Sequence, residues 1–264
     1  MRLCFRDITV IAMISVFPQN SKGRDFVISD LHGNFDGLLL AMEKVALDQS
    51  KDRLFALGDL IDGAEHSRDL VEMLENDWFF SVRGNHEQML LDRFDALIYR
   101  PTSMPQLQTQ EEARQSHRKN GGAWFDALDK DVQTQLYQRL SKLPHVIKIE
   151  YGVHRVGLVH AEIPEHFSNW SDFVSAVKEN SEVREQLLWN RLAIESVYHV
   201  AEQCYWEPEF KDAERWIDGI DVVVHGHTPV PEPVICGNQV WIDTGHLRGK
   251  ISLIEVGELL QITA

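Results

Sequence analysis

The sequence predicts an α/β layered fold. Short apolar runs of strand length alternate with segments in which apolar residues recur at helical spacing. The early strand-like runs each stop at a cluster of glycine and polar residues. The chain has 264 residues, 44% of them hydrophobic, which suffices for one sizeable core.

Phe26-Val27-Ile28 is the first strand pattern and ends in Asp30-Leu31-His32-Gly33-Asn34. Leu38, Leu39, Met42, Val45 and Ala46 then follow helical spacing. Leu54–Leu57 is a second strand pattern, closed by Gly58-Asp59, and Leu70, Val71, Met73 and Leu74 predict a second helix. Phe79–Val82 is a third strand, closed by Arg83-Gly84-Asn85-His86. From Tyr99 to Asn120 the chain is polar and reads as a loop or cap insertion over 101–120. A helical stretch follows from Trp124 to Leu143, then strands at His145–Glu150 and Arg155–Val159. Residues 166–217 read as mainly helical, and the chain closes with strands at Asp221–Val224, Val234–Ile235, Val240–Ile242 and Ile251–Val256. No linker divides the chain, so 24–264 reads as a single domain.

Residues 1–23 read as a leader or an extra strand. Ile8–Phe17 is too short to span a bilayer, and no small-residue cleavage site follows it. Met13 is an alternative start to Met1. A net charge of -15 opposes non-specific nucleic-acid binding, which needs a basic surface. Cys4, Cys204 and Cys236 form no CxxC pair, which fits a reducing cytoplasm and removes thiolate metal sites. No nucleic-acid or membrane partner is expected, and monomer is the default state.

The chemistry lies where strands end. Five apolar runs finish in residues that can bind metal: Asp30 and His32, Asp59, Asn85 and His86, His160, and His225. Each alone has a bland reading, such as a capping aspartate or a packed core histidine. Together they form an ordered set, because strand ends in a layered α/β sheet converge on one edge. Asp, Asn and His without thiolate suit Mn²⁺, Fe or Zn²⁺. Two ions sharing a carboxylate can clamp the attacking and leaving oxygens of a phosphoryl displacement.

Ser29–Asn34, Gly58–Asp62, Arg83–Glu87, Val159–Ala161 and His225–Pro229 together resemble the signature of the phosphoprotein phosphatases. Leu188–Arg191, Ile242–Gly245 and Asn120–Phe125 resemble the phage lambda-type and bacterial branch of that family. The resemblance covers about residues 24–257. It implies a four-layer α/β/β/α metallophosphoesterase (calcineurin-like) sandwich with mixed central sheets. It implies two divalent ions, Mn²⁺ foremost, one on Asp30, His32 and Asp59 and the other on Asp59, Asn85, His160 and His225. His86 would be the general acid, supported by Asp62, with Arg83 and Arg191 on the phosphate oxygens. His227 would stay outside the metal ligands. The implied reaction is attack of a metal-bridging hydroxide on phosphoserine or phosphothreonine in a protein substrate.

The family usually reads GDxxDRG, whereas Gly63 stands here in the arginine's place. One charge-assisted contact fewer should cost about 1.5–3 kcal/mol. Gly63→Arg is therefore expected to raise turnover of small aryl phosphates. Two other readings compete. Symmetrical dinucleoside tetraphosphate hydrolases resemble GNHD rather than the Gly84–Glu87 sequence GNHE. A catalytically weak regulatory or binding module would rest on Gly63 alone. The Tyr99–Asn120 segment is the expected substrate-selecting rim.

Overall fold

The computed structural model describes residues 13–95, 97–100, 106–197, 199–200, 206–207, 215–245 and 250–263. The chain begins with β1 (Ile14–Phe17), β2 (Asp25–Ile28), α1 (Phe35–Lys44), β3 (Arg53–Ala56), α2 (Ser67–Met73), β4 (Phe79–Ser81) and α3 (Asn85–Asp92). Next come β5 (Leu97–Arg100), β6 (Gln106–Thr109), α4 (Gln110–Lys119), a 3-10 turn over Gly122–Ala127, and α5 (Lys130–Leu140). Strands β7 (Val146–Tyr151) and β8 (His154–Val159) precede α6 (Trp170–Glu179), α7 (Ser181–Trp189) and α8 (Leu192–Val197). The rest comprises β9 (His199–Val200), β10 (Trp206–Glu207), β11 (Val222–His225), β12 (Val234–Cys236), β13 (Gln239–Trp241), β14 (Leu253–Glu255) and α9 (Val256–Ile262).

Two mixed sheets form the centre, one ordered β1-β7-β8-β11-β13-β12 and the other β14-β2-β3-β4. Strands β2, β3 and β4 pair in parallel, as do β8, β11 and β13. Edge strands β14 and β12 pair antiparallel. Side chains alternate across each strand. Val27, Phe55, Leu158 and Val224 therefore fill the space between the sheets. Their neighbours Phe26, Ile28, Leu54 and Ala56 face outward and pack on Leu38, Leu70, Leu90 and Leu136 from helices α1, α2, α3 and α5. On the far side, Val146, Val159 and Val223 pack on Phe173, Val177 and Leu187. The order is helix, sheet, sheet, helix, as expected from the sequence.

Three local expectations differ. Within the polar 101–120 segment, residues 110–119 form helix α4, and 101–105 lie outside the described residues. A capping box starts α4: Glu112 N–H donates to Thr109 Oγ1 at 3.3 Å, and Thr109 N–H donates to Glu112 at 2.7 Å. The 166–217 stretch contains the short β9–β10 pair as well as helices, and α9 extends the chain beyond the last expected strand. Residues 14–17 form β1, parallel to β7, while 1–12 lie outside the described residues. Among the described residues, no helix is long and apolar enough to cross a membrane.

Candidate active site

The loops after β2, β3, β4, β8 and β11 are bonded to one another. His32 N–H donates to the Asp59 carbonyl at 2.8 Å, and Gly226 N–H donates to the His160 carbonyl at 2.8 Å. His227 N–H reaches the Asp30 carboxylate at 3.0 and 3.2 Å. A Cβ on Gly226 would lie 2.2 Å from Asp30 Oδ1, so only glycine permits this approach. Positive φ is costly for residues with side chains and clusters at functional sites. Of the five non-glycine residues that adopt it among the described residues, His32, Asp59, Asp62 and His227 all lie in these loops.

Glu87 holds the Asp59 turn in shape. Its buried carboxylate accepts N–H groups from Gly84 at 2.8 Å, Asp59 at 2.9 Å, Leu60 at 2.8 Å and Ile61 at 3.4 Å. Burial and the nearby Asp59 charge push its carboxyl up to about 7, against those donors. The motif containing Glu87 was visible in the sequence, but this role was not.

Two groups of potential ligands share Asp59. One is His32, Asp59 and His86; the other is Asp59, His160 and His227, with ligand atoms in each group within 4.8 Å of one another. Asn85 Oδ1 lies 2.7 Å from His160 Nε2 and so belongs beside the second group. Asp30 stands outside both groups, bonded to His227 N–H.

The second group departs from expectation: the structure brings His227, and not His225, to Asp59 and His160. Alternation explains it. Val224 faces the space between the sheets, so its neighbours Val223 and His225 face the other way. The His225 ring stacks on Trp241 at 4.7 Å and 21°, and its Nδ1–H donates to the Ala161 carbonyl at 2.7 Å. Burial pushes its pKa down to about 3. His160 lies on the inward face, in step with Val156 and Leu158.

The expected phosphate-binding arginines also divide. Arg83 is buried, with hydrogen bonds to Gln88 Oε1 at 3.0 Å and to the Ser141 and Leu143 carbonyls at 2.9 and 3.3 Å. It is thus committed to the scaffold around α5 rather than free to meet a phosphate. Arg191 is exposed at the rim, its Nη2 donating to the His227 carbonyl at 3.5 Å. Trp189, two residues before it, lies edge-on to His227 at 6.2 Å.

His86 and Asp62 form the expected pair, with Nδ1 and Oδ2 2.8 Å apart. Burial pushes the His86 pKa down, but the charges of Asp59 and Asp62 outweigh it and raise it to about 9. Burial pushes the Asp59 carboxyl up, yet His160, His86, His32 and His227 together hold it well below the usual range. Gly63, next to Asp62, has φ +93°, and a Cβ there would meet the His32 carbonyl at 3.2 Å. This geometry opposes the expectation that Gly63→Arg aids turnover, because a side chain strains the turn after Asp62, which packs against the His32 carbonyl.

The residues fit divalent ions. His160 Nδ1–H donates to the Leu57 carbonyl at 2.7 Å, so neutral His160 turns an Nε2 lone pair toward Asn85 Oδ1. Two facing lone-pair donors suit a shared cation. His227 Nε2 is buried with no hydrogen-bond partner among the described residues. Burial, then the charges of Asp243 and Asp59, raise the Asp30 carboxyl well above its ordinary value. Asp243, known from the sequence only as part of a motif, is buried in the same field and raised to about 6, first by burial. Cations would relieve this crowding of carboxylates.

Such a fold, with a carboxylate-and-histidine centre at the strand ends, defines a metal-binding phosphoesterase. Residues 26–231 match the calcineurin-like phosphoesterase family, and the chain belongs to it. It is 26% identical over 235 residues to serine/threonine-protein phosphatase 2 of Salmonella typhimurium, covering 88% of this chain and 92% of that protein. It is 25% identical over 206 residues to a symmetrical bis(5'-nucleosyl)-tetraphosphatase of Shewanella loihica, covering 75% and 65%. A solved serine/threonine phosphatase from Saccharomyces cerevisiae shares the fold, with a TM-score of 0.53, 16% identity, and coverage of 92% of this chain and 83% of that one.

Proposed function

We propose that the protein hydrolyses phosphoserine and phosphothreonine esters in proteins. The observation that carries this reading is one carboxylate, Asp59, shared by two ligand groups with the His86–Asp62 pair beside it. His32, Asp59 and Asp30 would hold one divalent ion, Mn²⁺ foremost. Asp59, Asn85, His160 and His227 would hold the second, with His227 taking the place expected of His225. When bound, the ions supply Lewis acidity to the phosphoryl oxygens and lower the pKa of water. The chain's own residues do the rest. Arg191 meets the phosphate from the rim, where its planar donors match phosphate oxygens. His86, proton-loaded and oriented by Asp62, gives a proton to the serine or threonine oxygen as it leaves. An alkoxide is a poor leaving group, so this transfer is worth roughly 10²–10⁴ in rate.

The bacterial protein phosphatase relative supports a protein substrate through its nearly full-length match. The tetraphosphatase relatives support a second reading, hydrolysis of a symmetrical dinucleoside tetraphosphate on the same centre. The deciding experiment removes metal by chelation and restores Mn²⁺, then compares phosphate release from a phosphoserine peptide with cleavage of diadenosine tetraphosphate. An Asn85→Ala/His86→Ala protein is the control. Mn²⁺-dependent release from the peptide, absent in the control, is expected. Exclusive cleavage of the dinucleotide would replace the proposal.

A further inference from the structure

The His86–Asp62 pair does not end at Asp62. His117 Nε2 lies 3.0 and 3.1 Å from the two Asp62 oxygens, and Trp124 Nε1–H donates to Asp62 Oδ1 at 2.8 Å. Behind His117 stands Arg93, whose Nη1 is 3.1 Å from His117 Nδ1. The same Nη1 donates to the Gly122 carbonyl at 3.4 Å, and Nη2 pairs with Asp126. His117 and Asp62 are wholly buried, and Arg93 nearly so.

The chemistry of the guanidinium settles the proton on His117. Arginine offers only N–H donors and stays charged. Facing Arg93, Nδ1 must accept, so it carries no proton. The ring proton therefore sits on Nε2, where it points at Asp62 and donates. We infer that His117 is a positioning residue for the general acid: Arg93 fixes its tautomer, and its Nε2–H then holds Asp62 in the orientation that presents His86. This rests on the phosphatase reading of the site for its kinetic part, but not for its tautomer.

Removing the His117 donor leaves Trp124 Nε1–H alone to hold the Asp62 carboxylate from behind, which loosens the orientation in which it presents His86. The loss should fall on the step that needs a proton. Esters with poor leaving groups depend on the acid, whereas an ester with a good leaving group departs without it.

The test uses full-length, Mn²⁺-loaded protein with a series of phosphate monoesters, from a phosphoserine peptide through phenyl phosphate to 2,4-dinitrophenyl phosphate. His117→Leu removes the donor. His117→Gln restores both functions, since its amide can donate to Asp62 and accept from Arg93. His117→Leu is expected to lower kcat about 10–100-fold on the poor leaving groups, a share of the roughly 10²–10⁴ available from the acid. It should change the dinitrophenyl ester only about threefold, and His117→Gln should recover most of the loss. In parallel, ¹⁵N NMR of the wild type, assigned against His117→Gln, should show Nδ1 of His117 without a proton.

Equal slowing of every ester by a folded His117→Leu protein would make the residue merely structural and overturn the inference. A protonated Nδ1 would overturn it independently of any turnover. If the wild type hydrolyses none of the esters, the phosphatase reading fails, and with it the positioning role.

Discussion

Replacing His225 and His227 separately tests how the second ligand group is built. His225→Phe keeps an aromatic ring against Trp241, where the stack is 4.7 Å between centroids. It removes one donor, the Nδ1–H that reaches the Ala161 carbonyl at 2.7 Å. An orphaned buried acceptor costs about 1–3 kcal/mol, within the roughly 5–15 kcal/mol that holds such a domain together. The protein should therefore fold with a lowered Tm and take up metal normally. His227→Asn is the opposite case. Asparagine tolerates the positive φ of 63° at this position, so the backbone and its bond to Asp30 should survive. The buried Nε2 is lost. Even partners that only support a ligand change metal affinity roughly 10–100-fold, so a ligand itself should cost at least that much. The assay is metal content by mass spectrometry after dialysis against limiting Mn²⁺, with phosphate release followed over a Mn²⁺ titration. Loss of one equivalent from folded His225→Phe, with full retention by His227→Asn, would refute the alternation argument.

Two further outcomes follow from other parts of the molecule. Gly63→Arg should lower kcat and Tm together, because φ +93° and a 3.2 Å approach to the His32 carbonyl leave a side chain no relaxed conformation; a folded variant with higher kcat would show that the turn adapts. Asp52 is held below the ordinary carboxylate range: burial pushes it up, but N–H donors from Arg24 at 2.8 Å and Asp48 at 3.0 Å, with the Arg24 guanidinium at 2.8 Å, outweigh it. A depressed folded pKa gives stability that is complete above the unfolded value of about 3.9 and fades as pH falls through the folded value. Asp52→Asn should thus lower stability by about 1–2 kcal/mol at pH 7, and the gap from wild type should close under acid; a gap of constant size across an acid series would contradict this.

The strand–turn–helix units of residues 25–92 were legible because each strand is an apolar run cut off by glycine and a polar cluster. Five of the six expected ligand residues fall at the strand ends that the structure brings together: Asp30, His32, Asp59, His160 and, as the first residue of α3, Asn85. His225 misled because Val222-Val223-Val224 is buried on both faces. An all-valine strand carries no alternation from which to read which way its last residue points. The signal that was available lay one step later, in the Gly-His pair after the strand. The placement of Arg83 was not legible because a motif fixes backbone position, while the direction of a long side chain depends on acceptors in the distant turn after α5. Helix α4 was hidden by composition, since it is charged on most of its surface. Its sequence traces are the Thr109-x-x-Glu112 capping box and the pair Ala113 and His117, four residues apart and both buried.

Helix α4 also bears on how such a protein can change. Loops on a rigid scaffold are usually exchangeable, which lets substrate preference vary while the chemistry stays put. Here the segment expected to select substrate carries His117, and His117 is bonded to Asp62, the partner of His86. On the proposed reading, selectivity and catalytic competence would be inherited together. A graft of this segment from a relative would have to bring its own partner for Asp62, and on the proposed reading drift in the rim would be constrained by a wholly buried residue.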